Sequence, residues 1–331
     1  MQTKLLPGTN ITVPIVGLGT GSLGIPDQNL TIEQYSPGPN WKNYMDRDLG
    51  IATVLAALEA GIRFIDTAPW YGRGFAEETV GEALRQAFRT HPGLQDEVVV
   101  ATKIGHLRPG DDYDFSYDAA MRSFEGSQKR LGIERFRLVH LHDPMGQPIQ
   151  KVMGSQGVFG AMRSLQEQSL IDFVSVGAND SKTAATYIST GKFNTAIVVG
   201  AWSLINQSAR DHILPAAEKS GTGLIAANAL ERGVLATGFQ KEIRYQERRF
   251  DNPGLIARIE EIKTLCRRYQ IPLAAAAIQW CVRDPHFGLV IPGARTPEQI
   301  LENASAGKAE IEEDFWQELA PLVQTWDCVV S

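Results

Sequence analysis

Apolar runs six or seven residues long alternate with longer stretches in which apolar positions recur every three or four residues. The runs IVGLGT, RFIDTA, VVVATK, LVHLHD, FVSVGA, TAIVVGA, GLIAANA and GLVIPGA, mostly rich in β-branched residues, read as eight strands. Between or after them, IATVLAALEAG, AEETVGEALRQAF, SYDAAMRSFEGSQKRLG, VFGAMRSLQEQS, SARDHILPAAEKSG and TPEQILENASAG have the period of helices, and most stop at a glycine or a break. Regular alternation of strand and helix implies a parallel sheet covered by helices. Eight such units in 331 residues predict an α/β fold closed as a (β/α)8 TIM barrel, one domain spanning 1–331. Two stretches exceed the minimal repeat, 25–47 and 238–253. They follow the first and seventh strands, which places them on the C-terminal face where barrels bind ligands. A further stretch, Phe315 to Val323, is amphipathic, and barrel packing accounts for it as well as a subunit contact does.

The glycines of GLGTGSLG, Gly19, Gly21 and Gly24, have the G-x-G-x-x-G spacing of a dinucleotide-binding turn. That turn must open a helix, whereas here it leads into IPDQNLTIEQYSPGPNW, whose prolines and asparagines read as loop, so the barrel stands. Composition narrows the partners. With 32 basic and 38 acidic residues the net charge is −6, and no basic run tracks a phosphate backbone, which argues against nucleic acid. No apolar stretch reaches the length of a membrane span, and MQTKLLPGTNITVP lacks the features of a signal peptide, so a cytoplasmic protein with no membrane partner is expected. Cys266, Cys281 and Cys328 are odd in number and widely spaced, a pattern for neither disulfides nor zinc.

Four polar residues stand out against this frame. Asp66 closes RFID, Lys103 closes VVVATK and His142 closes LVHLH, so all three fall at the barrel mouth. Tyr71 follows on the loop APWYGRG, where Gly72 and Gly74 allow a tight return. Taken singly, each has an ordinary explanation: an Asp after a strand caps or accepts in a loop, and a Lys at a strand end reaches for water. Together at successive strand ends they form an acid, a phenol, an amine and an imidazole suited to moving a proton at a carbonyl or alcohol oxygen. A nearby ammonium would lower the phenol from its ordinary pKa near about 10. Lys103 is assigned that role, Asp66 keeps the ammonium in place, and His142 orients the substrate oxygen.

The same segments, VGLGTGSLG, GIRFIDTAPWYGRGFAEETVGEAL, VVVATKIG, LVHLHDP, LERGVLATG and VIPGARTPEQILEN, in this order over nearly the whole chain, resemble the aldo-keto reductase family. The resemblance implies a (β/α)8 barrel, NAD or NADP extended across the mouth, and a catalytic tetrad of Asp66, Tyr71, Lys103 and His142. His140, two residues earlier on the same face, reads as a core hydrogen bonder. For the cofactor the resemblance implies Asn179 at the nicotinamide carboxamide and Gly293, Ala294, Arg295, Thr296, Gln299 and Asn303 in the adenosine-phosphate segment. Departures stand beside these matches: Ala178, Val199 and Ala227 replace a serine, a glutamine and a tyrosine common in the family, so cofactor packing should differ. Gly293 and Gln299 stand where NADP-selective relatives often carry Lys and Arg, which favours NAD, while Arg295 keeps NADP open.

Within the family, DFSYDAAMRSFEGSQKRLGIERFRLVHLHDPM and AWSLINQSA resemble aldose 1-dehydrogenases acting on L-fucose or D-arabinose, and also pyridoxal 4-dehydrogenases. Both oxidise a cyclic hemiacetal to a lactone. An NADPH-dependent aldehyde or ketone reductase is the same chemistry reversed. Trp70 and Trp202 are candidate substrate walls, Trp202 being equally explained as core, and Tyr35, Trp41 and Tyr44 are candidates to close over the site. Two readings of other kinds remain. One is a nucleotide-binding regulatory subunit, like the potassium-channel β subunits that resemble this family. The other is a metal-dependent hydrolase using His140, His142 and Asp143, which lacks further inward ligands in the sequence.

Overall fold

Under the eight apolar runs lie eight parallel strands, each hydrogen-bonded to the next in chain order. The computed structural model describes residues 1–25, 45–105, 114–240 and 252–326. The barrel strands are β3 (Leu18–Gly19), β4 (Phe64–Asp66), β5 (Val99–Ile104), β6 (Phe136–His142), β7 (Ile171–Ala178), β8 (Thr195–Val199), β9 (Gly223–Ala227) and β10 (Phe287–Ile291). The barrel closes where Gly17 N–H donates to Val290 O at 2.8 Å, Val290 N–H to Ile15 O at 2.9 Å and Gly19 N–H to Pro292 O at 3.0 Å. The expected (β/α)8 fold is therefore present, and Gly21 and Gly24 after β3 lie in a turn.

Register explains the two cores. Residues paired across parallel strands point to the same face, so one inward residue on each strand fixes the rest. Inside the barrel Phe64, Val99, Ala101, Leu138, Ile197, Ile225, Leu289 and Ile291 pack together. Leu6, Ile11 and Val13 join them from an N-terminal antiparallel hairpin, β1 (Thr3–Leu5) with β2 (Thr12–Pro14), which stops the bottom of the barrel. That hairpin was not among the elements expected from the sequence. The larger second core lies between strands and helices.

The helices form where expected, and caps set their ends. The helix Tyr117–Leu131 starts at Ser116, whose hydroxyl accepts from Ala119 N–H, and ends at Gly132 in a left-handed conformation, φ 70°. Among the described residues the helices Ser181–Ile188, Pro253–Arg268 and Leu273–Arg283, with the short Leu94–Glu97, Ile149–Met153 and Val234–Thr237, fall outside the stretches read from the sequence. The amphipathic stretch near the end is a helix only over Glu313–Leu319, after which Ala320–Leu322 tightens to a 3-10 turn at Pro321. Most of the long stretches after β3 and β9 lies outside the described residues, with Tyr35, Trp41, Tyr44 and Cys328. Among the described residues no helix is long and apolar enough to cross a membrane.

Candidate active site

The mouth of the barrel is assembled from the ends of three strands and one loop. Asp66 ends β4 and pairs with Ala101 of β5, two residues before Lys103, so both side chains face inward. His142 ends β6 opposite Gly177 of β7. Tyr71 opens a turn, Tyr71–Gly74, in which Gly72, Arg73 and Gly74 have φ of 57°, 52° and 92°. Two glycines make this left-handed run affordable, and a Cβ on Gly72 would come within 2.6 Å of Met45 Cε. The turn feeds the helix Phe75–Thr90, whose Glu77 is fully buried. Its carboxylate accepts from Thr102 Oγ1 at 2.6 Å and from Arg130 Nε at 2.6 Å, fixing the helix against β5 beside Lys103.

These elements bring the four expected residues together. Lys103 Nζ donates to Asp66 Oδ1 and, at 2.9 Å, to Thr67 O, and it stands 4.8 Å from the centre of the Tyr71 ring. The rings of Tyr71 and His142 meet edge to face with centroids 6.1 Å apart. Asp66, Lys103 and His142 are 2%, 3% and 6% exposed, so the charges of Asp66 and Lys103 act through protein rather than water. Burial alone would raise the Asp66 pKa, but the Lys103 ammonium and the His140 imidazole reverse this and hold it below the usual carboxylate range. Burial lowers the Lys103 pKa from its ordinary value against the pull of Asp66.

The phenol departs from expectation. Tyr71 was to be lowered by Lys103, yet its pKa lies well above the ordinary value, through burial first and then the carboxylates of Asp66 and Asp143. Burial favours the neutral phenol, and the ammonium expected to offset it is paired with Asp66. The protein's own groups thus keep the phenol protonated.

Asp143 belongs to the same site, and sequence reasoning considered it only as a metal ligand. It has φ 47°, a left-handed conformation that aspartate tolerates better than most residues. Its Oδ2 accepts from Asn179 Nδ2 at 2.9 Å and lies 3.7 Å from His142 Nε2. Since a carboxylate only accepts, the Asn179 amide is fixed with nitrogen toward Asp143 and Oδ1 turned elsewhere. The signal available was an acidic residue wedged between His142 and Pro144 at a strand end.

Across the mouth, the segment after β10 is braced by its own side chains. Asn303 Nδ2 donates to Gly293 O at 3.3 Å, Gln299 Oε1 accepts from Arg295 N–H at 2.9 Å, and Thr296 caps the helix Pro297–Ala306. Ala294 and Asn303 are buried, so they shape the segment from behind. A helix N-terminus beside the Arg295 cation fits a phosphate-bearing cofactor. Trp70 is half-buried, one residue before Tyr71. Trp202 is not at the mouth, and the substrate role considered for it is corrected. It is 3% exposed in the outer core, stacked on Phe287 at 5.1 Å and beside Trp280 at 4.8 Å, with Nε1 donating to Cys281 O at 3.1 Å. The left-handed Gly200, φ 59°, turns the chain out of β8 just before it.

The Aldo/keto reductase family profile matches residues 16–324, and the chain belongs to this family. It is 28% identical to the pyridoxal 4-dehydrogenase of Microbacterium luteolum, over 96% of each chain. It is 29% identical to the D-threo-aldose 1-dehydrogenase of a Pseudomonas species, over 94% of each. Among solved structures, the holo form of an aldo-keto reductase from Bacillus halodurans superposes with a TM-score of 0.74 at 19% identity, covering 99% of this chain and 98% of its own.

Proposed function

We propose that the chain is an NAD(P)-dependent oxidoreductase whose catalytic tetrad is Asp66, Tyr71, Lys103 and His142, and that it oxidises a cyclic hemiacetal to its lactone. An aldose such as L-fucose or D-arabinose is the substrate favoured. The observation that carries this reading is the convergence of a phenol, a buried ammonium and an imidazole at one end of the barrel, with the ammonium 4.8 Å from the phenol ring. The likeness to the D-threo-aldose 1-dehydrogenase supports the substrate class.

The nicotinamide, when bound, supplies the acceptor or donor of hydride. The residues of the chain do the rest. In oxidation the anomeric hydrogen leaves with its electron pair, the hydroxyl proton passes to the Tyr71 oxygen once the phenol has lost its own proton to solvent, and the carbon–oxygen double bond of the lactone forms. His142 orients the substrate oxygen, Lys103 places positive charge against the phenol ring, and Asp66 holds Lys103. Asn179, its nitrogen committed to Asp143, offers Oδ1 to the NH2 of a carboxamide. Gly293, Ala294, Arg295, Thr296, Gln299 and Asn303 form the adenosine-phosphate segment, and the scarcity of cations there favours NAD.

A second reading has its own support. A phenol held protonated is an acid at neutral pH, the form that an aldehyde reductase uses, and an NADH-specific methylglyoxal reductase of Escherichia coli is 26% identical over 92% of this chain. Reduction of NAD and of NADP, followed at the nicotinamide absorbance with L-fucose, D-arabinose, L-galactose and pyridoxal, separates the cases. The account expects NAD reduction with at least one aldose. Turnover of pyridoxal alone would move the substrate to that class, and silence with all four beside NADPH consumption with simple aldehydes would establish the reductase.

A further inference from the structure

Beneath the tetrad, four neighbouring strands carry a line of buried polar residues. Lys103 of β5, His140 of β6, Ser175 of β7 and Thr195 of β8 are successive Cα partners, so all face the barrel interior. His140, Ser175 and Thr195 are 0% exposed. His140 Nε2 lies 3.3 Å from Asp66 Oδ2, at the long end of hydrogen-bonding range. Among the described residues Asp66 Oδ2, both His140 ring nitrogens, Ser175 Oγ and Thr195 Oγ1 have no other hydrogen-bond partner. Unsatisfied buried polar atoms carry a cost, so a cluster of them in one place demands an arrangement that pairs them.

We propose that His140 is a positioning residue for the reaction: a neutral imidazole carrying its proton on Nε2, which donates to Asp66 Oδ2 while Nδ1 accepts from the Ser175 hydroxyl. Asp66 is then gripped on both oxygens, Oδ1 by Lys103 and Oδ2 by His140, and cannot rotate away from the ammonium beneath Tyr71. The order Ser175, His140, Asp66, Lys103 is that of an orienting chain, each group fixing the hydrogen-bonding direction of the next. The tautomer follows from the partners: the carboxylate only accepts, so the ring nitrogen facing it bears the proton. The charged groups that bear on the imidazole are Asp66 and Lys103; Glu77 and Asp143 act on Lys103 from further out. β7 and β8 present only hydroxyls at their register positions. Burial outweighs the pull of Asp66 and holds the imidazole neutral, consistent with this arrangement.

The inference rests on the tetrad reading, and its first test does not depend on turnover. Nitrogen-15 spectra of histidine-labelled protein, with His140 assigned from the signal lost in His140→Gln, should show one neutral Nε2–H imidazole unchanged from about pH 5 to about pH 9. A neutral Nδ1–H ring, or one that becomes a cation in that range, would overturn the proposal whatever the enzyme's activity. Kinetics give the second test. His140→Leu should lower kcat about 10-fold to 100-fold with nucleotide affinity unchanged, the size of effect seen when a group that orients a functional ligand is removed. Its acid limb in the pH profile should move to higher pH, because Asp66 loses a donor that keeps it ionised. In His140→Gln, whose amide also donates, most of the loss should be recovered. Folded His140→Leu with the kcat and pH profile of the parent would sink the idea, as would equal impairment of the two variants, which would mark His140 as packing only.

Discussion

At the scale of single residues, the direction of the Tyr71 shift has a kinetic consequence. A group whose folded pKa is raised stays protonated as pH rises through its ordinary value, so on the proposed assignment the phenol would serve as acid over the neutral range and become a base only in strong alkali. With a saturating nucleotide, oxidation should therefore accelerate as pH is raised through the neutral range into the alkaline, while reduction should be level there and fall only in strong alkali. Rate profiles in both directions check this, and an oxidation rate flat from neutrality upward would contradict it. Trp202 offers a stability test at the same scale. As a core residue between Phe287 and Trp280, its replacement by Ala should cost about 3–5 kcal/mol in urea unfolding with KM for substrate unchanged. A raised KM at full stability would return it to the pocket.

At the scale of elements, the helix Phe75–Thr90 ties the tyrosine loop to the lysine strand through Glu77, held by Thr102 and Arg130. Glu77→Ala should cost about 3 kcal/mol, because it leaves Arg130 without its partner while that side chain remains partly solvated. It should also lower kcat more than it raises KM, since Lys103 follows Thr102 directly. Chemical denaturation with steady-state kinetics reads both. The strands and most helices were legible because burial on both faces writes continuous β-branched runs and a helical face writes a 3.6-residue period. Trp202 shows the limit: a tryptophan just past a strand has one appearance in sequence whether its chain turns toward the mouth or behind the sheet, and the left-handed Gly200 decides it. The convergence of Asp66, Tyr71, Lys103 and His142 was legible because strand ends map to the mouth. The direction of the Tyr71 shift was not, because it depends first on how deeply the phenol is buried, then on the Asp66 carboxylate and on Asp143 reaching the site through an unusual φ.

At the scale of the whole molecule, the buried imidazole of His140 couples folding to pH. Its folded pKa is depressed by burial, so below the unfolded value near about 6.5 the unfolded chain binds a proton that the folded chain does not. This contribution to stability is complete above that value and is lost as pH falls, at up to about 1.4 kcal/mol per pH unit until the folded pKa is reached. Unfolding midpoints in urea at about pH 7.5 and about pH 5.5 should fall in the parent protein and fall less in His140→Gln. An equal drop in both would place the acid sensitivity elsewhere. The barrel itself is what makes such coupling possible, because its largely apolar interior keeps His140 out of water.

Tyr71 is proposed as the group that exchanges the proton, and every other role at the site follows from it. Comparing the parent protein with Tyr71→Phe, nucleotide affinity followed by quenching of tryptophan fluorescence and turnover followed at the nicotinamide absorbance, tests it most directly. Unchanged nucleotide binding with turnover reduced by about 10²–10⁴-fold is the expected result. Turnover equal to the parent's would contradict the assignment of the site.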